Sequence, residues 1–436
     1  MSADKPETPW PIRILHLHSS FSLGGKEARA VRLMNLMGDR AHHTILSAMP
    51  EALGARDAID PGIVVDFPKD APPLHGKPSL PRYRQLADYM TRFELVLSYN
   101  WGAMDGVMAR RVHVSRLWHS MPALIHHEDG FNEDESVRRN WKRNLFRRVA
   151  LRTAQSVVVP STLLQQIAAD EWGAAEKLRL IPNGIDTARY AGAPAVSIPG
   201  FSRREGDVVI GTVAGLRKVK DLPRLVRAVA ALPHNVRLVI VGEGPEREAI
   251  AAEAAACGVA DRLVMPGFMA DPARWIGHFD LLALSSQSEQ MPIAVVEAMA
   301  AGLPVVSPAV GDVAAMVSEA NRPYIAADEA GFRAALARMS ESAALRADVG
   351  AANRRVAAER FDESNMVGAY EKLYARAHQG HGRGRYLWRG YAVQAERNRR
   401  APQCDVSADH QLGARLSRAV EARLSQGSAS SGRSGL

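Results

Sequence analysis

The sequence predicts an α/β protein made of two doubly wound domains, each a parallel sheet with helices on both faces. Short apolar runs alternate with helical periodicities twice along the chain. A stretch without periodicity, residues 187–206, separates the two series. The length of 436 residues also suits two domains, since about 100–200 residues per domain is usual.

The apolar runs predict the strands in order. The first run, IRILHLH, is followed by a Gly-Gly turn and by helical periodicity over residues 28–37, so the chain begins as strand, loop and helix. The strands predicted for the first domain are residues 12–18, 44–48, 63–67, 95–98, 124–127 and 156–160. Those predicted for the second domain are residues 208–213, 237–241, 263–265, 281–285 and 305–307.

The remaining segments set the domain boundaries. Residues 1–186 are predicted to form the first domain and residues 207–362 the second. Residues 187–206 between them are rich in Ala, Pro and Gly, which predicts a linker. A last helix is predicted at residues 363–377. The tail at residues 378–436 is rich in Arg, Gly and Ser, and this composition favours partial disorder.

The bulk composition excludes several classes of protein. The net charge is +8, but the tail holds ten Arg and four acidic residues, so the rest is nearly neutral and nucleic-acid binding is not expected. Two cysteines, Cys257 and Cys404, are too few for a disulfide framework or a zinc site. The N-terminus lacks a signal-peptide pattern, and no apolar run approaches the ~18 residues of a membrane span. We therefore expect a cytoplasmic protein.

Residues 285–306, SSQSEQMPIAVVEAMAAGLPVV, carry the strongest functional signal. A polar loop with Glu289 is followed by an apolar helix that begins at Pro292, carries Glu297 and ends at Gly302. The N–H groups at the start of such a helix can bind an anion such as a diphosphate. A carboxylate further along the helix can accept hydrogen bonds from two hydroxyls, as a ribose offers. The segment therefore predicts a nucleotide-sugar site.

This segment resembles the signature of the retaining glycosyltransferases of family 4, two glutamates separated by seven residues and followed by A-M-A-x-G-x-P-V-V. One departure is Gln290, where the family usually has glycine. Residues 181–186, IPNGID, also resemble the junction between the two domains of the family. The residues that match the signature in register are Glu289, Glu297, Ala298, Met299, Ala300, Gly302, Pro304, Val305 and Val306.

The resemblance implies the GT-B fold, in which two Rossmann-like domains face each other across a cleft. It also implies that the helix at residues 363–377 crosses back onto the first domain. The family's chemistry uses a nucleotide-sugar as substrate and needs neither a cofactor nor a metal ion. In open α/β sheets, ligands lie at the carboxyl ends of the strands, so the cleft is the expected site.

A glycine loop follows the first predicted strand. Gly24 and Gly25 allow a ligand to approach the backbone closely, and the helix behind them presents its N-terminus to an anion. These two glycines and Glu27 match the family's Gly-Gly-x-Glu loop, which lies near the donor diphosphate. The alternative is an ordinary turn between a strand and a helix.

A basic turn follows the first strand of the second domain. The family has an Arg and a Lys here, five residues apart, which neutralise the donor diphosphate. Lys220 matches the Lys, but the Arg position holds Gly215, and Arg217 is the nearest residue that could supply the second charge. Fixed cations stabilise the charge that develops on a departing diphosphate. The alternative is a solvated basic turn, since Lys218 is also present.

The segment IHHEDGFNEDE, residues 125–135, occupies the place where the family has a histidine that contacts the transferred sugar. Alignment on Gly130 puts Asp129 at that position, whereas alignment on the preceding strand favours His127. Both residues remain candidates. The two histidines and the acids do not have the spacing of a familiar metal site.

Residues 136–153 predict a helix with one apolar stripe, in which Val137, Trp141, Leu145 and Val149 recur every fourth residue. Most of the remaining surface is basic. One interpretation is a helix whose stripe faces the core and whose basic face is solvated. The other is peripheral contact with anionic lipid headgroups at the cytoplasmic membrane face. The basic residues are Arg138, Arg139, Lys142, Arg143, Arg147 and Arg148.

Together these features predict a metal-independent, retaining glycosyltransferase. The donor would be a UDP- or GDP-sugar, and the acceptor a hydroxyl of a carbohydrate or lipid-linked molecule in cell-surface polysaccharide or glycolipid synthesis. Glu297 would bind the ribose, and Lys220 and Arg217 would stabilise the diphosphate. Glu289 would contact the donor sugar, together with the segment formed by Gln290, Met291, Pro292 and Ile293.

Two alternatives stay open. The chain could be another GT-B enzyme, either a sugar-nucleotide epimerase or a phosphorylase. It could also be a non-catalytic protein that binds a nucleotide-sugar, since Gly215, Gln290 and Ala315 depart from the family pattern. A dehydrogenase is not favoured, because neither domain begins with G-x-G-x-x-G.

Overall fold

The computed structural model describes residues 11–22, 24–113, 121–131, 135 and 139–379. Within them the chain forms two parallel sheets, one of seven strands and one of six. Helices follow the strands in both halves. This arrangement confirms the prediction of two doubly wound α/β domains.

In its described residues, the first domain contains seven strands and five α-helices. The strands are β1 (Ile12–His18), β2 (Ala41–Ser47), β3 (Val65–Asp66), β4 (Leu95–Tyr99), β5 (Ala123–His127), β6 (Ser156–Val159) and β7 (Leu178–Leu180). The helices are α1 (Gly25–Met37), α2 (Leu80–Met90), α3 (Met104–His113), α4 (Trp141–Ala150) and α5 (Thr162–Trp172). The sheet order is β3-β2-β1-β4-β5-β6-β7, so the strand order reverses between β1 and β4.

The second domain contains six strands. They are β8 (Val208–Val213), β9 (Val236–Val241), β10 (Leu263–Gly267), β11 (Leu281–Ala283), β12 (Val305–Pro308) and β13 (Ile325–Ala326), in the order β10-β9-β8-β11-β12-β13. The helices are α6 (Leu222–Ala230), α7 (Arg247–Ala256), α8 (Ile293–Ala300), α9 (Val313–Met316), α10 (Glu329–Glu341), α11 (Ala343–Arg360) and α12 (Glu363–Gln379).

The strands that were predicted least well lie at the sheet edges. β7 and β13 were not predicted, and β3 has two residues where residues 63–67 were expected. In β7 both Arg179 and Leu180 are exposed, so it has no apolar run that a sequence pattern could detect. The central strand β1, by contrast, has exactly its predicted bounds, because six of its seven residues are buried.

Helix α12 belongs to the second half of the sequence but packs on the first domain. Its residues Tyr370 and Tyr374 lie in one apolar cluster with Ile14 of β1 and Leu97 of β4. At the base of this crossing, Asp362 forms a parallel bridge with Ile185, next to the linker. The first domain's core is therefore completed by a helix from the end of the described chain.

The structure corrects the interpretation of residues 136–153 as a helix whose apolar stripe faces the core. Helix α4 spans only Trp141–Ala150, and residues 136–138 lie outside the described part. The stripe faces outward: Trp141 is 68% exposed, Leu145 54% and Val149 37%. The physical reason is that the opposite face carries the buried Arg147, whose guanidinium donates to both carboxylate oxygens of Glu135 at 3.2 Å.

None of the helices within the described ranges is long and apolar enough to cross a lipid bilayer.

Candidate active site

A pocket of about 390 Å³ lies between the two domains, at the carboxyl ends of strands from both sheets. From the first domain, Asp129 and Gly130 line it just after β5. From the second domain, Arg217 and Lys220 line it after β8, and Glu289 lines it in the loop before α8. Segments far apart in sequence therefore meet in one cleft, as the doubly wound topology requires.

Lys220 and Glu289 form an ion pair within this cleft. The Lys220 Nζ atom lies 2.5 Å from Glu289 Oε1, and only 17% and 9% of the two side chains are exposed. The hydroxyl of Ser286 donates to the same carboxylate oxygen at 2.7 Å. The two loops are also joined by the Ser285 hydroxyl, which donates to the Lys220 carbonyl at 2.8 Å. The sequence placed both residues in the site, but their direct contact appears only in the structure.

Arg217 also lines the cleft. Arg217 is exposed, and it forms no ion pair within the part of the chain that the structure describes. A Cβ atom built on Gly215 would lie 3.6 Å from Arg217 Nε, so the arginine side chain passes beside the position where the family has its arginine. Arg217 is thus placed to supply a positive charge from two residues further along the chain.

Helix α8 begins at Ile293, directly after Pro292, and its first N–H groups have no acceptor within the helix. The residues before it join the domains. The N–H of Asn183 donates to the Met291 sulfur at 3.2 Å, and the Gln290 side-chain oxygen accepts from the Ser161 hydroxyl at 3.3 Å. The start of α8 therefore lies at the contact between the domains.

The glycine loop approaches this helix from the first domain. Gly24 is the N-cap residue of α1, and a Cβ atom on Gly25 would lie 3.8 Å from Ile293 Cδ1. A Cβ atom on Gly24 would lie 3.0 Å from the carboxylate of Glu27, which is buried. The two glycines therefore bring the first domain's backbone close to the N-terminus of α8.

Glu297 lies one turn beyond Ile293 on the same side of α8, because residues four apart share a helix face. Its side chain accepts a hydrogen bond from the Tyr190 hydroxyl at 3.1 Å. Burial of the carboxyl group raises the pKa of Glu297 to about 7; the Tyr190 hydrogen bond opposes this shift and the charge of Asp271 adds to it. Near neutral pH the protonated and ionised forms of the carboxyl group are therefore both populated. Tyr190 was not singled out in the sequence.

The two candidates after β5 have different environments. His127 is buried: its Nδ1 lies 3.2 Å from the Ser98 carbonyl oxygen and its Nε2 lies 3.4 Å from the Tyr374 hydroxyl. Burial, with a further contribution from the Arg29 charge, holds the pKa of His127 well below its usual value, so the ring is neutral. Asp129 lines the pocket. The structure thus places Asp129, and not the buried His127, in the lining of the cleft.

Asp129 is held by a residue that the sequence did not single out. The Arg29 guanidinium donates to both carboxylate oxygens of Asp129, at 2.9 Å for the Nη2–Oδ2 pair, and to the side-chain oxygen of Asn183 at 2.8 Å. The backbone N–H of Asp129 donates to Asn100 Oδ1 at 2.8 Å. Arg29 follows the glycine loop and Asn183 lies in IPNGID, so both were inside recognised motifs, but no spacing rule pairs them.

Asp312 joins the two domains next to the loop before α8. Its carboxylate accepts hydrogen bonds from the N–H and the hydroxyl of Thr162 at 2.5 and 2.9 Å and from the N–H of Leu163 at 3.0 Å. These groups form the N-terminus of α5, where a negative charge is stabilised by the helix dipole. The N–H of Asp312 donates to the carbonyl of Gln290 at 2.9 Å, so this contact adjoins the loop before α8.

Within the described ranges, no group of three or more His, Cys, Asp and Glu residues is arranged to hold a metal ion.

Comparisons with known proteins agree with this geometry. Residues 11–189 match the family model for Glycosyltransferase Family 4, and residues 198–356 match the model for Glycosyl transferases group 1. The chain is 32% identical over 192 residues to the 2-deoxystreptamine glucosyltransferase of Streptomyces kanamyceticus, covering 41% of this chain and 49% of that protein. It is 26% identical over 174 residues to the N-acetyl-alpha-D-glucosaminyl L-malate synthase of Bacillus anthracis, and this match covers 39% of this chain and 46% of that protein.

The chain thus spans about half the length of these curated relatives. Among solved structures, the HepE protein of Anabaena in complex with UDP superposes with a TM-score of 0.68 at 19% identity, covering 84% of this chain and 100% of that one. The two parallel-sheet domains and the cleft between them define a protein of the GT-B fold, as predicted. The chain belongs to the family 4, group 1 glycosyltransferases.

The pKa of Glu297 gives a prediction for the unliganded protein. Because its folded-state pKa of about 7 lies above the ordinary value of 4.5, the contribution of Glu297 to stability is fully present below pH 4.5 and is lost as the pH rises through 7. Glu297→Gln should therefore gain stability relative to the wild type over this range, as measured by urea unfolding. The exposed Glu319→Gln is the control; if both variants follow the wild type, the carboxyl group is not desolvated.

The contact of Asp312 with α5 gives a second prediction. Charge-assisted hydrogen bonds contribute about 1.5–3 kcal/mol each, and every 1.4 kcal/mol changes an equilibrium about tenfold. Asp312→Ala should therefore shift the domains towards an open arrangement, seen as a larger radius of gyration in small-angle X-ray scattering. Asp348→Ala, at an exposed position of the same domain, should leave the radius unchanged. Equal radii for the Asp312 variant and the wild type would show that other contacts hold the domains.

Proposed function

We propose that this protein is a retaining glycosyltransferase that transfers a sugar from a UDP-sugar to a hydroxyl acceptor. The observation that carries the proposal is the Lys220–Glu289 pair in the cleft, beside the N-terminus of α8 and within reach of Arg217. This set of groups suits a diphosphate joined to a sugar. The relatives named above are called a glucosyltransferase and a synthase of a glucosaminyl compound, and HepE was crystallised with UDP and with UDP-glucose.

In this proposal the diphosphate binds between the N-terminus of α8 and the side chains of Lys220 and Arg217. Lys220 pairs with Glu289 when no donor is bound, so the donor does not meet a free cation. Instead the donor completes a site in which the Lys220 ammonium group lies between the Glu289 carboxylate and a phosphate of the donor. Glu289, held by the Ser286 hydroxyl, keeps the ammonium group in place and presents its other oxygen towards the sugar.

The ribose hydroxyls bind to Glu297 in this proposal. Hydrogen bonds donated to a carboxylate favour its ionised form and lower its pKa. A carboxyl group that titrates near pH 7 in the unliganded protein should therefore release a proton when the donor binds near neutral pH. Tyr190, which already donates to Glu297, fixes the carboxylate for this contact.

During transfer, the acceptor hydroxyl oxygen bonds to the anomeric carbon on the face from which the diphosphate departs. The bond from that carbon to the phosphate oxygen breaks, and the hydroxyl proton passes to the diphosphate. Lys220 and Arg217 stabilise the negative charge that develops there. Asp129, oriented by Arg29, is a first-domain residue of the cleft that binds a sugar hydroxyl in this proposal. Contacts between the domains exclude water and limit hydrolysis of the donor.

We further propose that the first domain contacts an anionic membrane surface through α4. Trp141, Leu145 and Val149 form an exposed stripe, and Lys142 and Arg148 lie exposed beside it. An apolar stripe flanked by cations suits the interface of an anionic bilayer. Arg139, just before α4, lines the cleft, so a lipid-linked acceptor at that surface would be close to the donor.

The donor can be identified by thermal stability. A ligand that binds the native state at 100 times its Kd adds about 2.7 kcal/mol of stability. We expect stabilisation by UDP-sugars in the absence of metal, and a smaller effect in Glu297→Ala, with Glu319→Ala as the control. For the wild type, the donor Kd should rise by up to about tenfold for each pH unit below 7, and this dependence should vanish in Glu297→Gln. Absence of stabilisation by UDP-, GDP-, ADP- and CMP-sugars alike would overturn the proposed donor site.

Lys220 tests the leaving-group role. Loss of one group that stabilises charge in a transition state typically lowers turnover by about 10²–10³-fold. Lys220→Ala should lower kcat to this extent, measured by release of the nucleoside diphosphate, whereas Lys218→Ala, its exposed neighbour, should not. A Lys220 variant with normal kcat and weaker acceptor binding would contradict the role.

Membrane contact is tested by co-sedimentation with vesicles. The protein should bind vesicles that contain phosphatidylglycerol more strongly than pure phosphatidylcholine vesicles, because each basic residue near an anionic surface contributes about 1 kcal/mol. The double variant Trp141→Ser, Leu145→Ser should lose binding. The control Leu80→Ser, Phe268→Ser removes apolar residues of similar exposure elsewhere. Equal binding by both double variants would exclude α4 as the contact surface.

A further inference from the structure

A second pocket lies in the first domain, outside the cleft. It measures about 670 Å³ and follows the carboxyl ends of β2 and β3. Leu46 and Phe67 form part of an apolar lining, to which Pro68 and Pro72 also contribute. Ligand pockets typically measure about 300–1,000 Å³ and combine an apolar lining with few polar groups, so this one has the size and character of a binding site.

The charged groups of this pocket are mostly positive. Arg56 and Lys69 are exposed residues in its lining, and Glu51 is the acidic residue that lines the pocket with them. In the part of the chain that the structure describes, no ion pair engages Arg56 or Lys69. The Arg56 guanidinium instead lies 5.1 Å from the centre of the Phe67 ring. Two cations without carboxylate partners, next to an aromatic surface, suit an anionic group attached to an apolar one.

The pocket is joined to the glycine loop. The N–H of Phe21 donates to the Ala52 carbonyl at 2.8 Å, and the N–H of Ala55 donates to the Phe21 carbonyl at 2.9 Å. These bonds fix the wall of the pocket to the segment that leads to Gly25, beside Ile293 of α8. Four residues of chain span at most about 14 Å between Phe21 and Gly25. Phe21, which is bonded to the wall of the pocket, therefore lies within this distance of Gly25, which approaches α8.

We propose that this pocket binds the part of the acceptor that is not glycosylated, and that this part carries a phosphate or carboxylate group beside an apolar moiety. Arg56 and Lys69 bind the anion, and Phe67 and the neighbouring prolines contact the apolar portion. The assignment of this ligand as the acceptor rests on the proposed function, whereas the binding of an anionic, partly apolar molecule does not.

The pocket can be tested with hexyl phosphate, a short alkyl chain with one anionic group. Isothermal titration calorimetry on the full chain should show binding at least ten times tighter than that of inorganic phosphate or hexanol. The double variant Arg56→Glu, Lys69→Glu should weaken it at least tenfold. Arg338→Glu, Arg355→Glu is the control, since it makes the same change of charge at exposed positions of the second domain and should bind like the wild type.

Two further measurements separate the possible outcomes. Trp141→Ser, Leu145→Ser should bind hexyl phosphate normally; if this variant loses binding and the Arg56, Lys69 variant keeps it, the ligand binds α4 and the proposal is wrong. Equal affinity for hexyl phosphate and inorganic phosphate would also overturn it. UDP binding should be unchanged in the Arg56, Lys69 variant. Loss of hexyl phosphate binding with UDP binding intact also shows that the variant is folded, and failure of UDP to bind the wild type would count against the proposed function alone.

Discussion

The parallel direction of every strand in both sheets is the constraint on which the site depends. Parallel strands place all their carboxyl ends along one edge, and the loops that follow them collect there. The loops after β1, β5, β8 and β11 contain Gly24, Asp129, Lys220 and Glu289, which are far apart in sequence. Contact between the two edges produces the cleft.

Electrostatic balance within the cleft explains how charged groups can lie there before a ligand binds. Burial of a single charge is costly unless a partner compensates for it. Lys220 and Glu289 compensate for each other, and Arg29 compensates for Asp129. Glu297 has a tyrosine rather than a cation as its partner. Burial raises the pKa of Glu297, and the hydrogen bond from Tyr190 offsets this shift only in part. The site thus combines two ion pairs with one carboxyl group whose pKa is raised by burial.

The contacts between the domains involve the same segments as the site. Gln290 accepts from Ser161, Met291 accepts from Asn183, and Asp312, which binds the N-terminus of α5, also donates to Gln290. The loop before α8 is therefore both a wall of the cleft and part of the contact between the domains. A ligand that changes this loop would change the relation of the two domains, since the hydrogen bonds are shared.

The sequence by itself determined the two-domain α/β fold, the central strands and the segments that carry Lys220, Glu289 and Glu297. Local patterns suffice for these, because a strand buried on both faces reads as a continuous apolar run and proline is a common marker of a helix start. The tertiary structure decided the short edge strands, the choice of Asp129 over His127 at the cleft and the outward direction of the α4 stripe. It also decided the pairing of Arg29, Asp129 and Asn183. Each of these depends on which face of a helix or strand is covered by residues remote in sequence. The spacing of residues within one segment does not predict which face is covered.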